Sequence, residues 1–304
     1  MRNPFARLLA ARFNARLGRA GVIAVPYGFL VLFFSLPFLV VLKISLSDTD
    51  GVRYLDLLDY ANGVLTLKVR LESFLFLARD SLYLRAYAYS IELAGLTTLI
   101  CLVLGYPFAY FMARSKPSQR PALVMLVSLP FWTSYLLRVY AWKGLLDDQG
   151  VVNHLLMWLH LTDHPLKMMY TTFSMTVGMV YTYIAFMILP LYATLVSQDT
   201  RLIEAAYDLG ARPLKTFFLV TIPLSRAGIV AGSMLVFIPS VGEYVIPDLL
   251  GGPSTLMIGR VLWDEFFSNN DWSMACAVTV TMVLVILIPL ALFNRVQSKA
   301  EGLA

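Results

Sequence analysis

Six runs of about twenty mostly apolar residues divide the chain, at positions 22–42, 87–112, 121–142, 171–196, 227–246 and 272–293. As a helix rising ~1.5 Å per residue, each is long enough to cross about 30 Å of hydrocarbon. A water-soluble domain has no room for them: 59% of the 304 residues are hydrophobic and 14% charged, against ~45–50% apolar in soluble domains. Inside a bilayer the backbone must satisfy its own hydrogen bonds, so the expected class is an all-α membrane protein of six transmembrane helices.

The charges between the runs set the orientation. Residues 1–20 carry Arg2, Arg7, Arg12, Arg16 and Arg19 with no acid. Arg114, Lys116 and Arg120 fill the second-to-third turn, Arg201, Arg212, Lys215 and Arg226 flank the fourth-to-fifth connection, and Arg295 and Lys299 close the chain. The other connections hold Asp48, Asp50, Asp56, Asp59, Asp147, Asp148, Asp163, Asp248, Asp264, Glu265 and Asp271. By the positive-inside rule both termini are cytoplasmic, with 1–20 a cytoplasmic arm, 21–304 the membrane domain and 22–42 an uncleaved anchor. The net charge of +5 therefore reports topology and implies no nucleic-acid partner. Residues 71–84 are expected to form an amphipathic helix on the outer surface, and 247–271 an outer loop.

The connection over 199–223 is polar and helix-prone. Glu204-Ala205-Ala206 favours helix, Gly210 and Pro213 supply a break, and a second short helix is expected from about Pro213. A helix-turn-helix in so short a loop buries neither face alone, so it reads as a docking element, or as an amphipathic loop at the bilayer surface. Glu204-Ala205-Ala206, Gly210 and Ile222-Pro223 resemble the EAA loop of permease subunits in binding-protein-dependent ABC importers, with Val220 and Ile222 as apolar departures from the usual pattern. The resemblance implies the type I importer permease fold and a coupling helix, carried here by Glu204, Ala205, Ala206, Gly210 and Pro223, that seats in a groove on a cytoplasmic ATPase.

Nothing in the chain arranges catalysis. It has no phosphate-binding Gly-x-x-x-x-Gly-Lys loop, no nucleophile elbow and no His-Glu-x-x-His pair, so ATP hydrolysis belongs on another subunit and no cofactor is implied. His154, His160 and His164 lack the spacing of a closed metal site. Gly228 and Gly232 suit close helix packing. Charges inside the runs are more informative: Glu92, Arg138 and Glu243 all fall roughly 5–8 Å below the predicted outer ends. They either snorkel or pair structurally, or form a polar collar in which Glu243 and Glu92 meet a cationic substrate and Arg138 pairs with Glu243 in a closed state.

The stretch 237–253, with Glu243, Tyr244, Asp248 and Gly251-Gly252-Pro253, followed by Met257-Ile-Gly-Arg260 and Trp263, is similar to the polyamine branch of these permeases. That similarity implies putrescine or spermidine as cargo and a multi-pass subunit of the bacterial cytoplasmic membrane. It also implies a second related permease, two ATP-binding subunits and a periplasmic polyamine-binding protein. Carboxylates and the faces of Tyr135, Tyr140, Trp132 and Tyr244 suit ammonium groups, although aromatics at span ends also serve as interfacial belts. The rival readings are an importer permease for another solute and a self-sufficient proton-coupled carrier.

Overall fold

The computed structural model describes residues 22–47, 58–61, 64–67, 69–253 and 255–301, with side chains described for 22–47, 69–253 and 255–291. The expected cytoplasmic arm over 1–20 and the acids Asp48, Asp50 and Asp56 lie outside the described residues. The chain forms two compact units, Met1–Phe76 with Asn270–Thr281, and Leu77–Asn269 with Met282–Ala304.

In the first unit, α1 (Val22–Leu46) is a continuous helix with almost no buried side chains. Phe29, Phe33 and Phe34 stand open, a surface that water would penalise and hydrocarbon does not. Its turn over Val31–Ser35 is π-helical, just ahead of Pro37. Proline lacks an N–H and clashes with the carbonyl four residues back, and a wider turn relieves both problems. Two short antiparallel strands, β1 (Leu58–Ala61) and β2 (Val64–Leu67), pair Leu58 with Leu67 and Ala61 with Val64. They add a hairpin to the expected all-helical architecture, and the sequence places Asn62-Gly63, a strong hairpin dipeptide, between them.

The outer-surface helix expected over 71–84 is shorter: α2 spans Glu72–Arg79. Asp80 ends it by accepting the Leu82 amide at 2.8 Å and capping α3 (Ser81–Arg114). The third apolar run is bent. It comprises α4 (Arg120–Ser128), a 3₁₀ turn over Leu129–Trp132 and α5 (Tyr135–Leu146), and the axis swings by 86° at residues 133–134. Pro130 tightens the approach, and the Pro130 carbonyl accepts from both the amide and the hydroxyl of Thr133, at 3.3 and 2.9 Å. Thr133 and Ser134 are then extended, with ψ of 148° and 132°.

After α6 (Val151–Trp158), α7 (Thr172–Val196) starts from a capping box between Thr171 and Ser174. Then come α8 (Thr200–Asp208), α9 (Pro213–Leu224) and α10 (Arg226–Val241), the last two meeting at 67°. The segment expected as an outer loop over 247–271 is largely packed structure. It holds part of α11 (Val245–Leu250) and all of α12 (Ile258–Trp263), and Ile246, Leu250, Met257 and Ile258 are fully buried. Its backbone is tied down by the Ser174 hydroxyl on the Leu250 carbonyl (2.8 Å) and by the Ile258 amide on the Ser90 hydroxyl (2.8 Å). The final helix, α13 (Trp272–Glu301), begins in the first unit and ends in the second.

The core of the second unit lies where α3, α7 and α10 pack on one another. Met175, Met179, Met187 and Leu191 of α7 meet Leu93, Cys101 and Ala109 of α3 and Val236 of α10. Close approach is built into α10: a Cβ on Gly228 would lie 2.6 Å from the Thr194 hydroxyl, and one on Gly232 would lie 2.8 Å from the Met187 sulfur. Among the described residues four helices are long and apolar enough to cross a membrane, or up to six if each bent pair counts as one span.

Candidate functional site

The connection between α7 and α10 folds into an elbow. Asp199 caps α8 by accepting the Arg201 amide at 3.0 Å, and the Ala-containing turn that follows is helical as its propensities dictate. The helix stops at Gly210, whose φ of +78° a side chain would strain. Amides of Leu209, Gly210 and Ala211 close the end on the carbonyls of Ala205, Tyr207 and Ala206 at 2.8–3.1 Å. Arg212 is extended and Pro213 restarts the chain as α9.

No residue of α8 is buried. Glu204, Ala205 and Gly210 are exposed, Ala206 and Pro223 half-buried, and beside them Leu202, Tyr207 and Leu209 present apolar surface, Leu209 being 88% open. The root of the elbow is held firmly. Phe217 packs edge-on against Tyr106 (5.4 Å) and Tyr110 (5.6 Å) of α3, the Gln198 amide donates to the Thr221 carbonyl (3.2 Å), and the hydroxyls of Tyr106 and Ser225 bond at 2.8 Å. An exposed apolar tip on an anchored root can take a push from a partner and deliver it to the bundle.

A second interruption lies at Gly242–Tyr244, between α10 and α11, and it contains Glu243. The sequence places Glu243 on a continuous helix; it sits instead in the break and is only 8% exposed. Its Oε1 accepts the Tyr135 hydroxyl at 2.8 Å and the amides of Tyr244 and Val245 at 3.1 and 3.0 Å. Its Oε2 accepts the Tyr183 hydroxyl. One carboxylate thus ties the start of α5, the middle of α7 and the α10–α11 break together. The guanidinium of Arg138 lies 5.8 Å from the centre of the Tyr135 ring, and its Nε and Nη1 are buried without hydrogen-bond partners among the described residues.

Of the collar expected from the sequence, the structure unites Tyr135 with Glu243 and sets Arg138 beside Tyr135. Among the described residues no ion pair joins Arg138 to Glu243 or Glu92, and Glu92 is exposed on α3. Tyr244 stacks on Trp263 with ring centres 4.6 Å apart and planes within 7°, and Trp263 meets Phe267 at 4.1 Å. Asp248 is exposed and pairs with Arg260 at 3.5 Å, and Glu265 accepts from Tyr83 at 2.6 Å. Tyr183 and Gly259 were not singled out by the sequence, yet a Cβ on Gly259 would lie 2.5 Å from the carbonyl oxygens of both Gly242 and Glu243. The His154 ring bonds the Gly150 carbonyl at 3.0 Å, and His160 has a φ of 53°.

Helices long and apolar enough to cross a membrane, joined by an exposed elbow anchored at its root, fit the class of membrane transport subunits. The chain belongs to the family of binding-protein-dependent transport system inner membrane components, whose profile matches residues 105–300. It is 37% identical over 274 residues to the spermidine/putrescine transport system permease protein PotB of Salmonella typhimurium (strain SL1344), covering 90% of this chain and 92% of that one. The protein of the same name from Escherichia coli (strain K12) is 37% identical over 268 residues, 88% of this chain and 94% of that one. Among solved structures, a chain of a bacterial alginate ABC transporter, crystallised with an alginate pentasaccharide-bound periplasmic protein, superposes with a TM-score of 0.68 at 17% identity. The match covers 97% of this chain and 98% of that one, so the fold is that of an ABC importer permease. The protein is a permease subunit and not an enzyme; the ATPase is a separate chain.

Proposed function

We propose that this chain is one of two related permease subunits of an ATP-driven importer in the bacterial cytoplasmic membrane, carrying putrescine or spermidine inward by alternating access. The observation that carries this reading is the elbow, whose α8 and C-cap leave Glu204, Tyr207 and Leu209 uncovered while Phe217 packs its root on α3. The unmatched surface is for one of two ATP-binding subunits, with Glu204, Ala205, Ala206, Gly210 and Pro223 as its coupling residues. In this reading α4 and α5 together make one crossing and α10 makes another, giving six spans, with 1–20 and the C-terminus in the cytoplasm and 21–304 as the permease domain.

The cargo assignment is supported by the curated relatives and by chemistry that suits a flexible polycation. Glu92 and Asp248 are exposed carboxylates, and the Tyr244–Trp263 stack offers ring faces to ammonium groups. Glu243 is buried and bonded to Tyr135, with the Arg138 guanidinium beside that ring. A periplasmic polyamine-binding protein delivers cargo to the outer side. The test is uptake of labelled putrescine and spermidine by the complete complex in proteoliposomes, with its binding protein and internal ATP. Saturable uptake of either, resisted by an excess of the other but not by molybdate, is expected. ATP-driven uptake of an anion with none of a polyamine would overturn the cargo.

A further inference from the structure

The carboxylate at the heart of the second unit is crowded on one oxygen. The Tyr135 hydroxyl and the amides of Tyr244, Val245 and, at 3.5 Å, Ile246 converge on Oε1 of Glu243, more donors than its two lone pairs take, while the Tyr183 hydroxyl bonds Oε2. A cation reaches Oε1 only when a donor leaves it. These donors are all formally neutral, and among the described residues no cationic side chain pairs with Glu243. Near it, the Arg138 guanidinium has two buried nitrogens that find no hydrogen-bond partner among the described residues, and a buried donor left so costs desolvation. One side chain stands between them. Tyr135 gives its hydroxyl to Glu243 and its ring to Arg138.

Both ends of this arrangement sit at helix breaks. Tyr135 is the first residue after the 86° bend at 133–134, and Glu243 lies in the interruption that separates α10 from α11. Bends of this kind carry few internal backbone bonds, so they are the places where two packed arrangements can differ by a small rotation. Arg138 follows Tyr135 by three residues on the same helix, so any rotation of α5 about the bend moves both together.

We propose that Tyr135, Tyr183 and Arg138 are positioning residues that give Glu243 two alternative sets of partners, a tyrosine-bonded set in this state and an Arg138-paired set in the state driven by the ATPases. The inference rests on the importer reading above. In the exchange the Tyr135 hydroxyl leaves Oε1 and the guanidinium takes its place, which satisfies the N–H groups that are orphaned here. Tyr183 keeps Oε2 throughout and anchors the carboxylate to α7. Glu243 then serves as a latch between bends.

The experiment uses the complete complex in proteoliposomes and reads ATP hydrolysis without cargo. Tyr135→Phe removes the competitor for Glu243 and should raise cargo-free hydrolysis roughly 10-fold, the size of one charge-assisted hydrogen bond. In an Arg138→Gln background the same change should have no effect, because the second partner is gone. An equal rise in both backgrounds, or no rise in an intact complex, overturns the proposal. Arg138→Lys and Arg138→Gln, compared for hydrolysis stimulated by loaded binding protein, provide an independent check should Tyr135→Phe fail to assemble. Lysine should retain most of the stimulation that glutamine loses, and equal losses refute the exchange. A complex that shows this interplay but ignores polyamines sinks the cargo assignment alone; one that imports polyamines without it sinks the latch alone.

Discussion

Residues 199–224 and 242–244 both interrupt apolar helices, yet the first leaves the side chains of α8 open and the second buries the carboxylate of Glu243. The elbow at 199–224 is built from local rules. An aspartate cap, two alanines, a glycine at positive φ and a proline restart are enough to form it, and no residue of α8 needs a buried neighbour. The break at 242–244 is built from distant ones. Glu243 is held by Tyr135 and Tyr183, which are 108 and 60 residues away along the chain. The exposed α8 keeps its shape by local rules while the root of its elbow is tied to α3; the break at Glu243 has its shape specified from several helices at once.

The sharpest way to break this contrast is to reverse a charge on the elbow. Glu204→Arg should abolish co-purification of the ATPase subunits and ATP-driven uptake, since a mismatched interface anchor costs ~2–4 kcal/mol, or roughly 30- to 1,000-fold in affinity. Thermal unfolding of the permease should stay within about 0.5 kcal/mol of the parent, as for an exposed surface change. A drop in stability equal to the loss of docking would show that the elbow is part of the folded core.

A milder comparison uses two glycines. Gly259 backs the buried break, where a Cβ would meet two carbonyl oxygens at 2.5 Å, while Gly210 ends α8 with nothing within 4 Å of its added Cβ. Gly259→Val should therefore cost about 1–3 kcal/mol or more through overpacking, and Gly210→Ala only about 1–2 kcal/mol through backbone conformation. Thermal unfolding in detergent reads both. A larger loss at Gly210 would reverse the order of the two regions.

The same difference explains what the sequence discloses. The apolar runs announce a membrane bundle because their length is set by the bilayer and by nothing else in the fold. The elbow is equally legible, since Ala205, Ala206, Gly210 and Pro213 act through their own backbones. The bend at 133–134 is hidden because Thr133 and Ser134 lie within an apolar stretch that can be spanned by one straight helix. The residues after Pro247 read as a loop because Gly251-Gly252-Pro253 and the acids dominate their composition, while Ile246, Leu250, Met257 and Ile258 find a common core only once α7 is in place. Tyr183 carries a sequence signal, a hydroxyl in an otherwise apolar run, but its partner is visible only in three dimensions. Asn62-Gly63 marks the hairpin locally, and the all-helical expectation passed over it.

The central claim is that this chain moves solute only when another protein's ATP-driven motion reaches it through α8. The direct measurement compares polyamine uptake by proteoliposomes holding the full complex, the same complex with Glu204→Arg, and this chain alone under an imposed proton gradient. Uptake in the first with none in the other two is the result predicted here. Uptake by the isolated chain, or undiminished ATP-dependent uptake with Glu204→Arg, would contradict it.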